Sequence, residues 1–157
     1  METIAHYHFQ TVHFPIALTL AGFFLMALGL IRRHDSCFIA ARYVLYLATA
    51  GAVVAVSTGL LAENFIPHSH EGAIHEVMEW HETLGLWIAG SLIFTSVLTW
   101  LMVRKGYRHG KTITALLLLI ISTLIGITGY LGGRLGHEFG IGLEDHHHHE
   151  ESNEQEH

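Results

Sequence analysis

Cysteine and charge are scarce in this sequence, and each shortage excludes a class of site or partner. Cys37 is the one cysteine among 157 residues, so the chain has neither a disulfide framework nor a thiolate metal site. The two prolines, Pro15 and Pro67, both fall close to expected helix starts. Only 14% of the residues are charged, and no basic stretch of the kind that binds nucleic acid is present.

Hydrophobic residues are abundant and are gathered into four blocks. These blocks are Val12–Ile31, Ile39–Leu61, Leu84–Val103 and Ile113–Leu131. Each is long enough, at about 1.5 Å per residue, to cross the ~30 Å hydrocarbon layer of a bilayer as a helix. Lipid offers no partner for backbone polar groups, so each block must be helical. The sequence therefore predicts an all-α integral membrane protein, an up-and-down four-helix bundle.

The expected boundaries divide the chain into one membrane domain and a tail. Helices are predicted at about 12–32, 39–62, 70–104 and 111–133, within a domain of residues 1–143. Thr11 would cap the first helix, so that Pro15 lies in its first turn, where proline is tolerated. The acidic, histidine-rich segment 144–157 is predicted to be disordered, and the run His146–His149 in it is a weak metal-binding tract.

The distribution of basic residues predicts how the chain is oriented in the membrane. Seven of the eight lie in the first and third connections or at the adjoining helix ends: Arg32, Arg33, Arg42, Arg104, Lys105, Arg108 and Lys111. By the positive-inside rule these connections are cytoplasmic and both termini are outside, which in a bacterium is the periplasmic side of the inner membrane.

Histidines and carboxylates collect at the opposite, outer face. Thirteen of the fifteen histidines are expected there: His6, His8, His13, His68, His70, His75, His81, His137, His146 to His149 and His157. His13 and His81 enter the first and third helices, which lie diagonally in an up-and-down bundle. We therefore expect these two side chains to face each other at similar depth.

Small residues would line the space between that pair. Gly85 follows His81 by one turn, and stripes of small residues run along the second helix (Ala48, Ala52, Ala55, Gly59) and the fourth (Ser122, Gly126, Gly129, Gly133). Close helix packing also explains such stripes. A flat haem held by the two imidazoles would need small walls, and bis-histidine ligation favours electron transfer. Arg134 is either a helix-end cation or the partner of a haem propionate.

Two segments resemble a known family. HFQTVHFPIAL, residues 8–18, resembles the H-P-x-x-V-H-F-P-I-A-L opening of a bacterial four-helix membrane family of unknown function, with Phe9 in place of the proline. GYLGGRLGHEFGIG, residues 129–142, is similar to its G-x-x-G-G ending, although His137 lies two positions before the matching place. Members are often joined to Rieske or c-type cytochrome domains, which implies a redox setting with b-type haem. The resemblance implies a functional role for His8, for His13 and, with a looser match, for His81.

Three functional hypotheses follow. The first is an electron-transfer module with haem b on His13 and His81, exchanging electrons with quinol or an external redox protein inside a larger membrane complex. There His8, His75 and His137 would support the haem or ligate a second centre. The second is a copper, zinc or nickel site built from the imidazoles and carboxylates of the second connection. The third is a cofactor-free accessory subunit. A stand-alone enzyme is not favoured, because no nucleophile–base spacing is found.

Overall fold

Four long helices make up almost all of the chain that the structure describes. The structure is a computed structural model that describes residues 2–63 and 73–137, with side chains described for residues 11–61 and 76–133. The helices are α1 (Glu2–Arg32), α2 (Asp35–Glu63), α3 (Ala73–Arg104) and α4 (Gly110–His137). No strand occurs in these two ranges, so the all-α prediction is confirmed for them.

Two short turns join the helices at one end of the bundle. α3 ends in a left-handed Gly106 (φ 64°), and the Tyr107 N–H donates back to the Met102 carbonyl at 2.9 Å. This is the Schellman arrangement, which favours glycine because it has no Cβ. α1 ends in the same way, with Arg33 at φ 55° in the glycine position and the His34 N–H donating to the Gly29 carbonyl.

The helices are arranged in a ring. α1 packs on α2 and α4, and α3 packs on α2 and α4, so α1 and α3 are diagonal, as predicted. Lys111 Nζ lies 2.7 Å from Asp35 Oδ1, which ties the two turns together. We call this end, with the seven basic residues, the basic end. The opposite end, where α3 begins and α4 ends, is the histidine end.

Glycines set how closely α1 and α2 approach. A Cβ on Gly29 would lie 3.0 Å from Phe38, and one on Gly51 would lie 2.9 Å from Phe14 and 3.4 Å from Pro15. Phe38 of α2 therefore occupies the space that a side chain at position 29 of α1 would need. In the same way, Phe14 and Pro15 of α1 occupy the space beside Gly51 of α2. The core between the four helices is formed by buried aliphatic and small residues: Met26, Phe38, Ala41, Leu45, Ala52, Ile88, Ala89, Leu92, Ala115, Leu118, Ile121 and Ile125.

The predicted start of the first helix is wrong. α1 begins at Glu2 rather than at about residue 12, so Thr11 is an interior residue and not a cap. Pro15 consequently lies in the middle of α1, where it removes one backbone hydrogen bond. Pro15 lies against Gly51 of α2, where an added Cβ would be 3.4 Å from the proline ring. The other observed boundaries lie within four residues of the predicted ones.

Each helix contains a segment that is long and apolar enough to cross a membrane. These segments are Thr11–Arg32, Asp35–Leu61, Glu76–Arg104 and Gly110–Gly133. Only 28–33% of the most apolar window of each is buried inside the bundle, so most of its apolar surface faces outward. Such a surface is suited to lipid and is far larger than a soluble protein of this size exposes. The prediction of four helices long and apolar enough to cross a membrane is confirmed.

Candidate functional site at the histidine end

His81 is held in place between α3 and α4. Its Nδ1–H donates to the backbone carbonyl oxygen of Thr128, with 3.2 Å between the two atoms, and the side chain is half-buried. Because a carbonyl can only accept, the bond fixes the tautomer with hydrogen on Nδ1 and a lone pair on Nε2. This is the state in which histidine ligates metals, with its second nitrogen anchored to a carbonyl.

Gly132 provides the surface on which the imidazole rests. A Cβ at this position would lie 3.0 Å from His81 Cε1 and 3.5 Å from Nδ1. The next residue, Gly133, is exposed, and no described atom lies within 4 Å of its Cβ position. Of the two adjacent glycines, only Gly132 is therefore needed for the ring to approach α4.

From the sequence, Gly133 is predicted to be a site residue and Gly132 is not. The short α3–α4 turn indicates the level of this contact but not the residue. Tyr107 lies midway in sequence between His81 and Gly133, so counting along the two helices places His81 level with Gly133, which is next to the glycine that the ring contacts. The Thr128 carbonyl, by contrast, belongs to the backbone, and no sequence pattern singles it out.

His13 does not face the core of the bundle. Its side chain is exposed, and Ala17 and Ala21, one and two turns along the same face of α1, are exposed as well. The buried face of α1 instead carries Pro15, Thr19 and Met26. The expectation that His13 and His81 face each other across the core is therefore wrong, because the inward face of α1 is set by its packing on α2.

The two histidines also lie at different depths. Contacts of Phe14 and Pro15 with Gly51 put His13 level with residues 52–53 of α2. The Thr49 hydroxyl lies 2.7 Å from the Ser96 hydroxyl and 3.4 Å from the Leu92 carbonyl oxygen, which puts that level near residue 90 of α3. His81 is nine residues farther towards the histidine end, or ~13 Å at 1.5 Å per residue. The cause is the register between α1 and α2, which is set by the contacts of Phe14 and Pro15 with Gly51.

The remaining predicted site residues divide into two groups. Gly85, Gly129 and Gly133 have no described atom within 4 Å of a Cβ position, so the space beside them is open. The backbone of the others lies in helices, but their side chains are outside the described residues: His8 in α1, His75 in α3, and Arg134 and His137 in α4. Their predicted roles stay predictions.

The two small-residue stripes behave differently. On α2, Ala48, Ala52 and Ala55 are buried, as helix packing requires. On α4, Gly126, Gly129 and Gly133 are exposed. The expectation that both stripes line one internal space is therefore wrong, because the buried face of α4 runs through Leu118, Ile121 and Ile125, to one side of the glycines.

No multi-residue metal centre is found where side chains are described. Among residues 11–61 and 76–133, no three histidine, cysteine, aspartate or glutamate side chains are grouped so as to hold a metal ion. The second connection, with His68, His70 and Glu71, and the tail tract His146–His149 lie outside the described residues. The divalent-metal hypothesis is therefore neither supported nor contradicted there.

The fold and this site define a four-helix membrane protein with an anchored histidine near one end. The sequence model of one family, described as "Predicted membrane protein (DUF2231)", matches residues 6–145, and the chain belongs to that family. No curated protein matches the chain. No solved structure matches it either.

Proposed function

We propose that the chain is a membrane electron-transfer module that holds b-type haem near the histidine end, with His81 as an axial ligand. The observation that carries this proposal is the bond from His81 Nδ1 to the Thr128 carbonyl, which leaves Nε2 able to bind iron. The half-buried position of the ring excludes part of the water that would compete for the metal. A haem held by histidine supplies reversible one-electron chemistry.

The second ligand is proposed to come from α1. Five residues before His13, His8 lies level with about residue 85 of α3, which is one turn from His81, or ~6 Å along the bundle axis. His13 is ~13 Å away on the same measure. Two residues that would hold the same haem must lie at similar depth, so depth favours His8. His13, which the sequence motif favoured, is the second candidate for this role.

The position of the proposed haem site near one end of the bundle determines which partners it could exchange electrons with. Haem at the level of His81 does not bridge the ~30 Å hydrocarbon layer. The positive-inside rule puts the basic end in the cytoplasm and this site on the periplasmic side of a bacterial inner membrane. Exchange with a quinol or an external redox protein, as part of a larger complex, suits such a site. Arg134 follows Gly132 and Gly133 in α4 and is proposed to pair with a propionate.

The test is an absorption spectrum of the full chain, purified from cells supplied with a haem precursor. We expect a Soret band that His81→Ala abolishes and that His109→Ala, an exposed histidine of the basic end, leaves unchanged. Comparison of His8→Ala with His13→Ala identifies the second ligand. A haem-replete preparation with no Soret band would contradict the proposal. Elemental analysis after chelator treatment would then reveal any copper or zinc.

One observation favours a second candidate, a cofactor-free subunit of a larger membrane complex. The exposed face of α4 carries Gly126, Gly129 and Gly133, and no described atom lies within 4 Å of a Cβ at any of them. Glycines spaced in this way let another transmembrane helix approach closely. Normal assembly and activity of the host complex with His81→Ala would support this candidate over haem binding.

A further inference from the structure

An apolar groove runs between α2 and α3 on the outer surface of the bundle. It is lined by Tyr46 of α2 and by Ser96, Val97 and Trp100 of α3, and has a volume of about 380 Å³. Ser96 contributes little polarity, because its hydroxyl is bonded to Thr49 and only 9% of the residue is exposed. The groove thus presents hydrocarbon and aromatic surface to the bilayer.

Two arginines, one on each bordering helix, lie just beyond this groove towards the basic end. Arg104 Cζ lies 4.6 Å above the centre of the Trp100 ring, so one cation is held against the wall of the groove. Arg42 precedes Tyr46 by four residues on the same face of α2 and is half-buried. The Thr49–Ser96 contact aligns the two antiparallel helices so that Arg42 is level with residues 101–103. The two arginines therefore lie at nearly the same depth, one on each of the helices that border the groove.

Carboxylates are almost missing from this end of the protein. Of the fourteen acidic residues, Asp35 alone lies among the described residues of the basic end, and its carboxylate is bound by Lys111 at 2.7 Å. Within the described part of the chain, neither Arg42 nor Arg104 has a carboxylate partner. A half-buried guanidinium without a counter-charge is costly at a membrane edge.

We propose that this groove is a binding site for an anionic glycerophospholipid of the leaflet at the basic end. One acyl chain lies in the groove against Tyr46, Val97 and Trp100, and the phosphate is bound by Arg42 and Arg104. Planar guanidinium groups suit phosphate oxygens, and such hydrogen bonds are charge-assisted. The combination of apolar groove and paired cations distinguishes this site from the general attraction of basic residues to an anionic surface. It is independent of haem binding.

Quenching of Trp100 fluorescence by brominated lipid tests the site directly. Trp80 and Trp87 are exposed and are replaced by phenylalanine, which leaves Trp100 as the single reporter in the full chain. The protein is placed in bilayers of phosphatidylcholine with increasing amounts of brominated phosphatidylglycerol, and then with the two headgroups exchanged. We expect the anionic lipid to bind beside Trp100 about tenfold more strongly, since one charge-assisted bond contributes that factor or more.

Matched variants distinguish lipid binding at this groove from a general attraction of anionic lipid to exposed basic residues. Arg42→Gln with Arg104→Gln is expected to bring the preference for anionic lipid to near unity, whereas Arg32→Gln with Arg108→Gln, which removes two exposed cations of the same end, keeps it. Val97→Phe fills the groove at an exposed position, adds no second tryptophan, retains both cations and is expected to reduce the preference as well. Equal binding of both lipids to the unchanged protein, or equal loss in the two double variants, would overturn the proposal.

Discussion

Because His81 contacts Gly132 and not Gly133, we expect alanine to have different effects on stability at these two neighbouring positions. Gly132→Ala places a Cβ 3.0 Å from Cε1 of the imidazole, closer than ordinary van der Waals contact, so the ring must move away from α4. The bond from Nδ1 to the Thr128 carbonyl is already 3.2 Å long. A shift of a few tenths of an ångström brings it to the limit of hydrogen bonding.

The expected change in the free energy of unfolding is the sum of two opposing contributions. Alanine stabilises a helix by about 1 kcal/mol relative to glycine, and both positions lie inside α4. Loss of the His81 bond costs about 1 kcal/mol, and crowding of the ring adds to that cost. Gly133→Ala meets no described atom and keeps the full helix gain. We therefore expect Gly132→Ala to be less stable than Gly133→Ala by about 1–2 kcal/mol.

Unfolding of the detergent-solubilised protein by increasing mole fraction of denaturing detergent measures this difference. The two alanine variants are compared in the unchanged protein and in a His81→Ala background, which forms a double-mutant cycle. In that background the crowded ring is gone, and the two variants should have the same stability. If they already have the same stability with His81 present, the ring does not rest on Gly132 and the reasoning is refuted.

Two further predictions use the same unfolding assay. Gly51→Ala brings a Cβ to 2.9 Å from Phe14 and should lower the free energy of unfolding by about 1–3 kcal/mol, as overpacking does; an increase would contradict the close α1–α2 contact. Thr49→Val removes the hydroxyl that pairs with Ser96 at 2.7 Å and should cost about 0.6–1.7 kcal/mol. Thr123→Val serves as its control, because that exposed hydroxyl bonds only within its own helix, and an equal effect of both would count against the interhelical bond.

The membrane character of the chain could be predicted from the sequence because it depends on composition over whole segments. Four blocks without acidic residues or lysine are sufficient to require four helices in lipid, whatever their packing. The short turns at Arg33 and Gly106 then force neighbouring helices to be antiparallel and place α1 diagonally from α3. His81 was found for the same reason, because it lies in the sequence just before the third apolar block.

The pairing of His13 with His81 could not be judged from the sequence, because depth depends on the register between helices. That register is set by particular contacts, Phe14 and Pro15 on Gly51 and Thr49 on Ser96, which link residues distant in the chain. A register shift of about ten residues between two helices leaves the composition of each span unchanged but moves a side chain by ~15 Å relative to its neighbours.

The number of helices able to cross the membrane and the end that collects basic residues follow from the sequence alone, since both are sums over many residues. The identity of the anchored histidine, of the crowded glycines and of the residues that line the α2–α3 groove depends on the tertiary structure. Those properties depend on single contacts of a few ångströms, and such contacts exist only once four helices have packed in one register.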